Sequence, residues 1–129
     1  MQTKNLRLPL ERKWFELTKA GIKKEDYRVI TPYWCNRFLL FKGGCLSKEQ
    51  WRLFLITNGV DYFISCLYKK ITFNNFDFNI MPLGYPKSTD TERITKLEHK
   101  GIEIRTGNPE WGAEPNKLYF VIKHGEIIK

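Results

Sequence analysis

GIKKEDYRVITPYW, residues 21–34, sets five charged side chains behind a glycine and runs them into an aromatic cluster. Upstream of it, Leu10, Trp14 and Leu17 recur at spacings of four and three, and Gly21 falls where a helix C-terminal cap sits, so residues 10–20 read as a helix. KKEDYRVI then gains aromatic and β-branched residues toward its end and reads as a strand over about 24–30. Thr31-Pro32 is a compact helix start, a side-chain cap followed by proline at the first helical position. A second helix is expected over 32–42, ending at Gly43-Gly44. In a strand, Lys23, Glu25 and Tyr27 share one face, with Lys24, Asp26 and Arg28 on the other. If Lys23 still lies in the turn after Gly21, that alternation does not bind it, and it is free to converge with Arg28.

Nearer the N-terminus, Leu6, Leu8 and Leu10 alternate with Arg7 and Pro9 as a short first strand that Pro9 confines to an edge or cuts short. Ser47 with Gln50 forms a capping-box pattern ahead of Trp51, Phe54 and Leu55, and that helix is expected to end near Asn58-Gly59. Val60, Phe63, Ile64 and Leu67 repeat the helical spacing for a fourth short helix, with a strand as the alternative. From Ile71 the pattern changes. Ile71 and Phe73, then Phe76, Phe78 and Ile80, alternate with polar residues, and Gly84-Tyr85-Pro86 marks a turn. Ile94–Ile104 reads as a strand broken or bulged at Gly101. Asn108-Pro109 and Gly112–Pro115 frame a loop, and 118–122 with 126–128 read as a hairpin turning at His124-Gly125. Helices crowd the first half and strands the second, an α+β layout.

The 129 residues are enough for one core and are read as a single domain, residues 1–129. Hydrophobic residues at 42% and aromatics at 15% argue against disorder. The net charge of +8 is uneven: residues 1–42 carry ten Lys/Arg against four Asp/Glu, and residues 43–129 twelve against ten. That asymmetry points to a polyanionic partner, nucleic acid rather than membrane, because no basic amphipathic helix stands out. Cys35, Cys45 and Cys66 form no CxxC pair, and no histidine stands at metal spacing, so neither a disulfide framework nor a metal or other cofactor is expected. MQTKNLRLPL lacks the apolar core of a signal peptide, and no run approaches the ~20 apolar residues of a membrane span. A reducing cytoplasm is the expected setting.

A strand, a helix ending at glycine, and then G-x-K-x-x-x-x-R, here Gly21, Lys23 and Arg28, resemble the ASCH domain family, whose fold is a PUA-like β-barrel. The resemblance is sharper with small ASCH-like proteins of bacteria and their phages. It covers WFELTKAGIKKEDYR, the following Pro32-Tyr33-Trp34, Gly84-Tyr85-Pro86 and the tail GNPEWGAEPNKLYFVIKHGEI. Residues 44–76 stand outside this shared pattern as a helical insertion flanking the barrel.

The resemblance implies RNA binding or recognition of a modified base. Within it Lys23, Lys24 and Arg28 are the expected anion or base-edge contacts, with Tyr33, Trp34 and Trp111 offering stacking surface. Some members of the family are amidohydrolases on acylated cytidine. Their lysine falls on Lys23, and a following strand supplies Glu98. Their threonine falls on Asp26, which makes an ion pair with a lysine more readily than it makes a nucleophile. Three readings follow: an RNA- or nucleotide-binding domain, an amidohydrolase using Lys23, Asp26 and Glu98, and an interaction module, possible as a homo-oligomer, built on the inserted helices.

Overall fold

The computed structural model describes residues 4–129; the first three residues of MQTKNLRLPL lie outside it. Two compact units are present, one of residues 1–27 with 75–129 and one of residues 28–74. The secondary structure is α+β, with a five-stranded mixed sheet, a two-stranded sheet and three α-helices. Among the described residues no helix is long and apolar enough to cross a membrane.

The first unit is built on the larger sheet. Its strands are β1 (Asn5–Arg7), β2 (Glu25–Arg28), β5 (Phe78–Pro82), β6 (Ile94–Thr106) and β7 (Leu118–Ile128), in the order β1-β5-β6-β7-β2. The exception is Arg28, the last residue of β2, which begins the second unit. β1 runs parallel to β5, while β5–β6 and β6–β7 are antiparallel. The expected barrel does not close: β1 and β2 are the two edges of an open sheet. Helix α1 (Arg12–Lys19) lies between β1 and β2 in the chain, packs against β6, and buries Phe15 and Thr18. The chain leaves it through Gly21, at φ 77°, with Ile22 and Lys23 donating their backbone N–H groups back to the Leu17 carbonyl.

Strand register assigns the two faces of this sheet. Leu6 pairs with Asn79, Asn79 with Leu97, and Met81 with Thr95, and all five are buried. The face they share continues through Ile102, Phe120, Ile122 and His124 and forms the core. On the opposite face Tyr119, Val121 and Ala113 make a smaller cluster with Tyr27, beside the 107–117 loop. Gly107 belongs to that cluster, for a Cβ there would meet the Tyr27 ring and Ala113 at 2.6–2.7 Å.

The hairpin expected at His124-Gly125 is absent; β7 runs unbroken from Leu118 to Ile128. Gly125 serves close packing instead, since a Cβ there would come within 2.6–3.0 Å of Lys100 and Glu98. The irregularity expected at Gly101 is present as two register shifts, between Leu97 and His99 and between His99 and Ile102.

In the second unit, helix α2 (Pro32–Phe38) starts as its sequence dictates, with the Thr31 hydroxyl accepting from the Trp34 N–H at 3.3 Å. It ends four residues earlier than expected. The apolar run Leu39–Phe41 leaves the helix as strand β3, antiparallel to β4 (Ile71–Phe73). Helix α3 (Lys48–Ser65) opens on the Ser47/Gln50 capping box and joins the third and fourth expected helices across a break at Gly59, whose φ of 79° and ψ of 170° are not helical. Trp51 and Phe63 are fully buried and meet Phe54 in edge-on ring contacts. This segment contains most of the insertion expected at 44–76.

Candidate functional site

Lys23 sits in the turn before β2, so strand alternation does not govern it. It is 3% exposed, and its ammonium donates to the Glu25 carbonyl at 2.6 Å and lies 3.4 Å from Asp26 Oδ1. The Tyr27 and Trp14 rings stand 5.4 and 5.9 Å from it. Asp26 is itself 4% exposed. A lysine this deep is held by its charge partner and cannot also meet solvent phosphates.

β2 sends its neighbours the other way. The Tyr27 hydroxyl donates to Glu25 at 2.7 Å and accepts from the Asn108 N–H at 2.9 Å, and Arg105 makes a two-pronged ion pair with Glu25. Arg105 pairs in register with Tyr119, so Glu25 and Tyr27 occupy the face of the small cluster. Asp26 therefore points to the core face. Burial, reinforced by the Glu25 carboxylate, pushes the Tyr27 phenol up to about 12.

On the core face lies a polar network that sequence reasoning missed. Asn79, fully buried, stands between two histidines: His99 Nδ1 is 2.8 Å from its Oδ1, and its Nδ2 is 2.7 Å from His124 Nδ1. The same Nδ2 faces the Lys123 carbonyl at 3.4 Å, which orients the amide. His99 then donates to Asn79, and Asn79 donates to His124. The His124 proton accordingly resides on Nε2, a buried nitrogen with no hydrogen-bond partner among the described residues. Burial first, and the Lys23 and His99 charges after it, pull the His124 imidazole down to about 4, against the opposing pull of Asp26 and Glu25. His99 is lowered too, by burial and by Lys123. The missed signal was Asn79 itself, a polar residue in a strand whose partner histidines are distant in sequence.

Glu98 does not join Lys23 and Asp26. Its register partner is Phe78, on the face opposite Asn79 and Leu97, and it accepts from the Glu126 N–H at 2.9 Å and pairs with Lys100 at 3.7 Å. The hydrolytic set Lys23, Asp26 and Glu98 is thus split across the sheet. Lys24 is exposed and lines a groove of about 610 Å³ with Glu98, Lys100, Glu126 and Lys129. Trp111 ends a single 3-10 turn, Pro109–Trp111, which Asn108 caps by accepting from the Glu110 N–H at 2.9 Å; the indole is half-buried.

The remaining predicted residues lie in the second unit. The Arg28 guanidinium stands 5.0 Å from the Trp34 ring centroid, while Phe38 stacks on the same indole at 5.1 Å and 19°. Trp34 is therefore a shelf that orients Arg28, its π surface already occupied. Tyr33, 47% exposed, meets the Trp34 edge at 4.8 Å, and the Lys48 ammonium is 5.9 Å from its ring. Around them this unit carries seven Lys/Arg against two acidic residues, Glu49 and Asp61.

No family model, curated protein or solved structure matches the chain. Among the described residues no group of three or more His, Cys, Asp or Glu is placed to hold a metal ion. Cys35 and Cys66 are buried and Cys45 is exposed, all three as free thiols.

Proposed function

We propose that the protein binds single-stranded RNA, or a nucleotide-like ligand, through the second unit. The observation that carries this reading is the Arg28–Trp34–Tyr33–Lys48 array within a unit of seven basic and two acidic residues. A guanidinium is suited by its charge and planar shape to phosphate or a base edge, and an exposed tyrosine offers a ring face to a base. Phosphate contacts supply affinity that falls with salt. A relationship to the ASCH family, without the closed barrel, is part of the same proposal and rests on Gly21, Lys23, Arg28, the Pro32–Trp34 run and the GNPEWG loop.

Fluorescence anisotropy of a labelled single-stranded oligouridylate tests it. The Arg28→Ala/Tyr33→Ala double variant is expected to bind at least roughly 10-fold more weakly, from the loss of one charged contact and one stacking surface. Equal affinity of variant and wild type would remove the second unit from the RNA reading.

One observation favours a second reading. Leu53 and Ile56, three residues apart, form a short exposed stripe on α3 before the Gly59 break, Ile56 at 68%, and Val60 beyond the break is exposed as well. A homo-oligomer formed through this stripe predicts a concentration-dependent mass in light scattering that Ile56→Glu abolishes. A monomer at all concentrations would dismiss it.

A further inference from the structure

The alternation of β5 is inside out. Asn79 and Met81 enter the core, while Phe78 and Ile80 are half-buried on the opposite face. Register extends that face across three strands: Arg7, Ile80 and Lys96 lie in one row, which Ile128 continues, and Asn5, Phe78 and Glu98 lie in the next. The part of this face near Tyr119 and Val121 is filled by Tyr27 and Ala113, but the β1–β5–β6 part carries partly exposed Phe78, Ile80, Ile94 and Ile128. Antiparallel sheets ordinarily turn polar residues to water, so an aromatic and three isoleucines there mark a surface with a partner.

The charges on this face identify the partner. Arg7 is exposed, and the Lys96 ammonium rests 4.1 Å from the Phe78 ring centroid. Among the described residues neither ion-pairs with a carboxylate, and the nearby Glu98 is engaged by Lys100 and the Glu126 N–H. Two strand spacings separate Arg7 from Lys96, about 10 Å. The surface is thus apolar along its middle and cationic at Arg7 and Lys96. It suits a ligand with flat apolar rings joined by anions. A peptide adding a strand would instead use the β1 edge, and β1 offers only three residues.

We propose that the open β1–β5–β6 face is a second contact surface for single-stranded RNA, with a base stacked on Phe78 and phosphates held by Arg7 and Lys96. This rests on the RNA-binding reading above and adds to it a site in the other unit. The test uses a single-stranded oligouridylate carrying 4-thiouridine, photocross-linked to the full chain and mapped by mass spectrometry, beside anisotropy titrations at several salt concentrations. Cross-links are expected in residues 78–96. Phe78→Leu, which keeps an apolar side chain but no ring, should weaken binding roughly 5- to 100-fold. Arg7→Gln/Lys96→Gln, on solvent-facing positions, should lower the slope of log affinity against log salt by about 1.4, at about 0.7 per phosphate on a single strand. Cross-links confined to residues 28–48, with both variants binding like wild type, would overturn this proposal and leave the second-unit reading standing. Cross-links confined to 78–96, with Arg28→Ala/Tyr33→Ala neutral, would do the reverse. No binding by wild type at low salt overturns both. Self-association that Phe78→Leu abolishes, without cross-links on this face, would assign it to a second copy of the chain and overturn the proposal.

Discussion

Lys23→Ala is expected to destabilise the fold by about 3–5 kcal/mol. The ammonium is 3% exposed and lies 3.4 Å from Asp26 Oδ1, whose carboxylate is buried nearly as deeply. Two opposite charges removed from water roughly offset each other's desolvation, but truncating one leaves the other with a buried charge and less compensation. The Glu25 carbonyl loses its 2.6 Å donor as well. Urea denaturation of wild type, Lys23→Ala, Asp26→Ala and the doubly apolar Lys23→Met/Asp26→Leu measures this. Each alanine variant should unfold at a clearly lower midpoint, and the double apolar variant should recover much of the loss, because it buries no charge. A Lys23→Ala midpoint equal to wild type would show that the pair is not held as described.

What the sequence revealed of this fold follows from which signals are local. The Gly21 stop, the Thr31-Pro32 start and the Ser47/Gln50 box are short-range chemistry, and each appears where the residues put it. The Phe38-to-Leu39 break was not legible, since Leu39–Phe41 suits a helix or a strand and its pairing with Ile71–Phe73 is what decides. His124-Gly125 has the composition of a turn, yet Gly125 lies inside a continuous strand, close against the Glu98 and Lys100 side chains. β5 carries the most consequential difference. Phe76, Phe78 and Ile80 alternating with polar residues correctly indicate a strand, but alternation alone assigns the apolar side to the core. Asn79 takes that place because His99 and His124, 20 and 45 residues away, satisfy its amide. For the candidate site, strand alternation sets Lys23 and Asp26 on opposite faces, and they meet because Lys23 lies in the turn before β2. The separation of Glu98 from them depends on register and was not legible.

That same histidine network makes stability fall with acid well before the carboxylates titrate. His124 is 9% exposed, held near pKa 4 in the folded chain, and returns to about 6.5 when unfolded. Between those values the unfolded chain binds a proton that the folded chain refuses, so the unfolded state gains. The direction is therefore fixed: the contribution is fully present above pH 6.5, is lost progressively as pH falls toward 4, and changes little below that. Its size is about 3 kcal/mol, at 1.36 kcal/mol per pKa unit. His99, lowered as well, adds loss in the same direction. Burial is the main cause, and the geometry acts in the same direction, because Nδ1 faces the Asn79 N–H at 2.7 Å and a second proton on the ring would set donor against donor. Urea denaturation at pH 7.0, 5.5 and 4.5 should show most of this loss, and His124→Gln, which has nothing to protonate over that range, should flatten the profile. Glu103, held below its usual range by Arg105, adds its own loss only at lower pH, so the two effects separate along the pH axis. A wild-type profile that is level from pH 7 to 4.5 would mean that His124 takes up its proton inside the folded chain. Asn79 would then have to turn its carbonyl oxygen toward Nδ1 and release the His99 bond, a rearrangement that the shift of the His99 ring resonances would report.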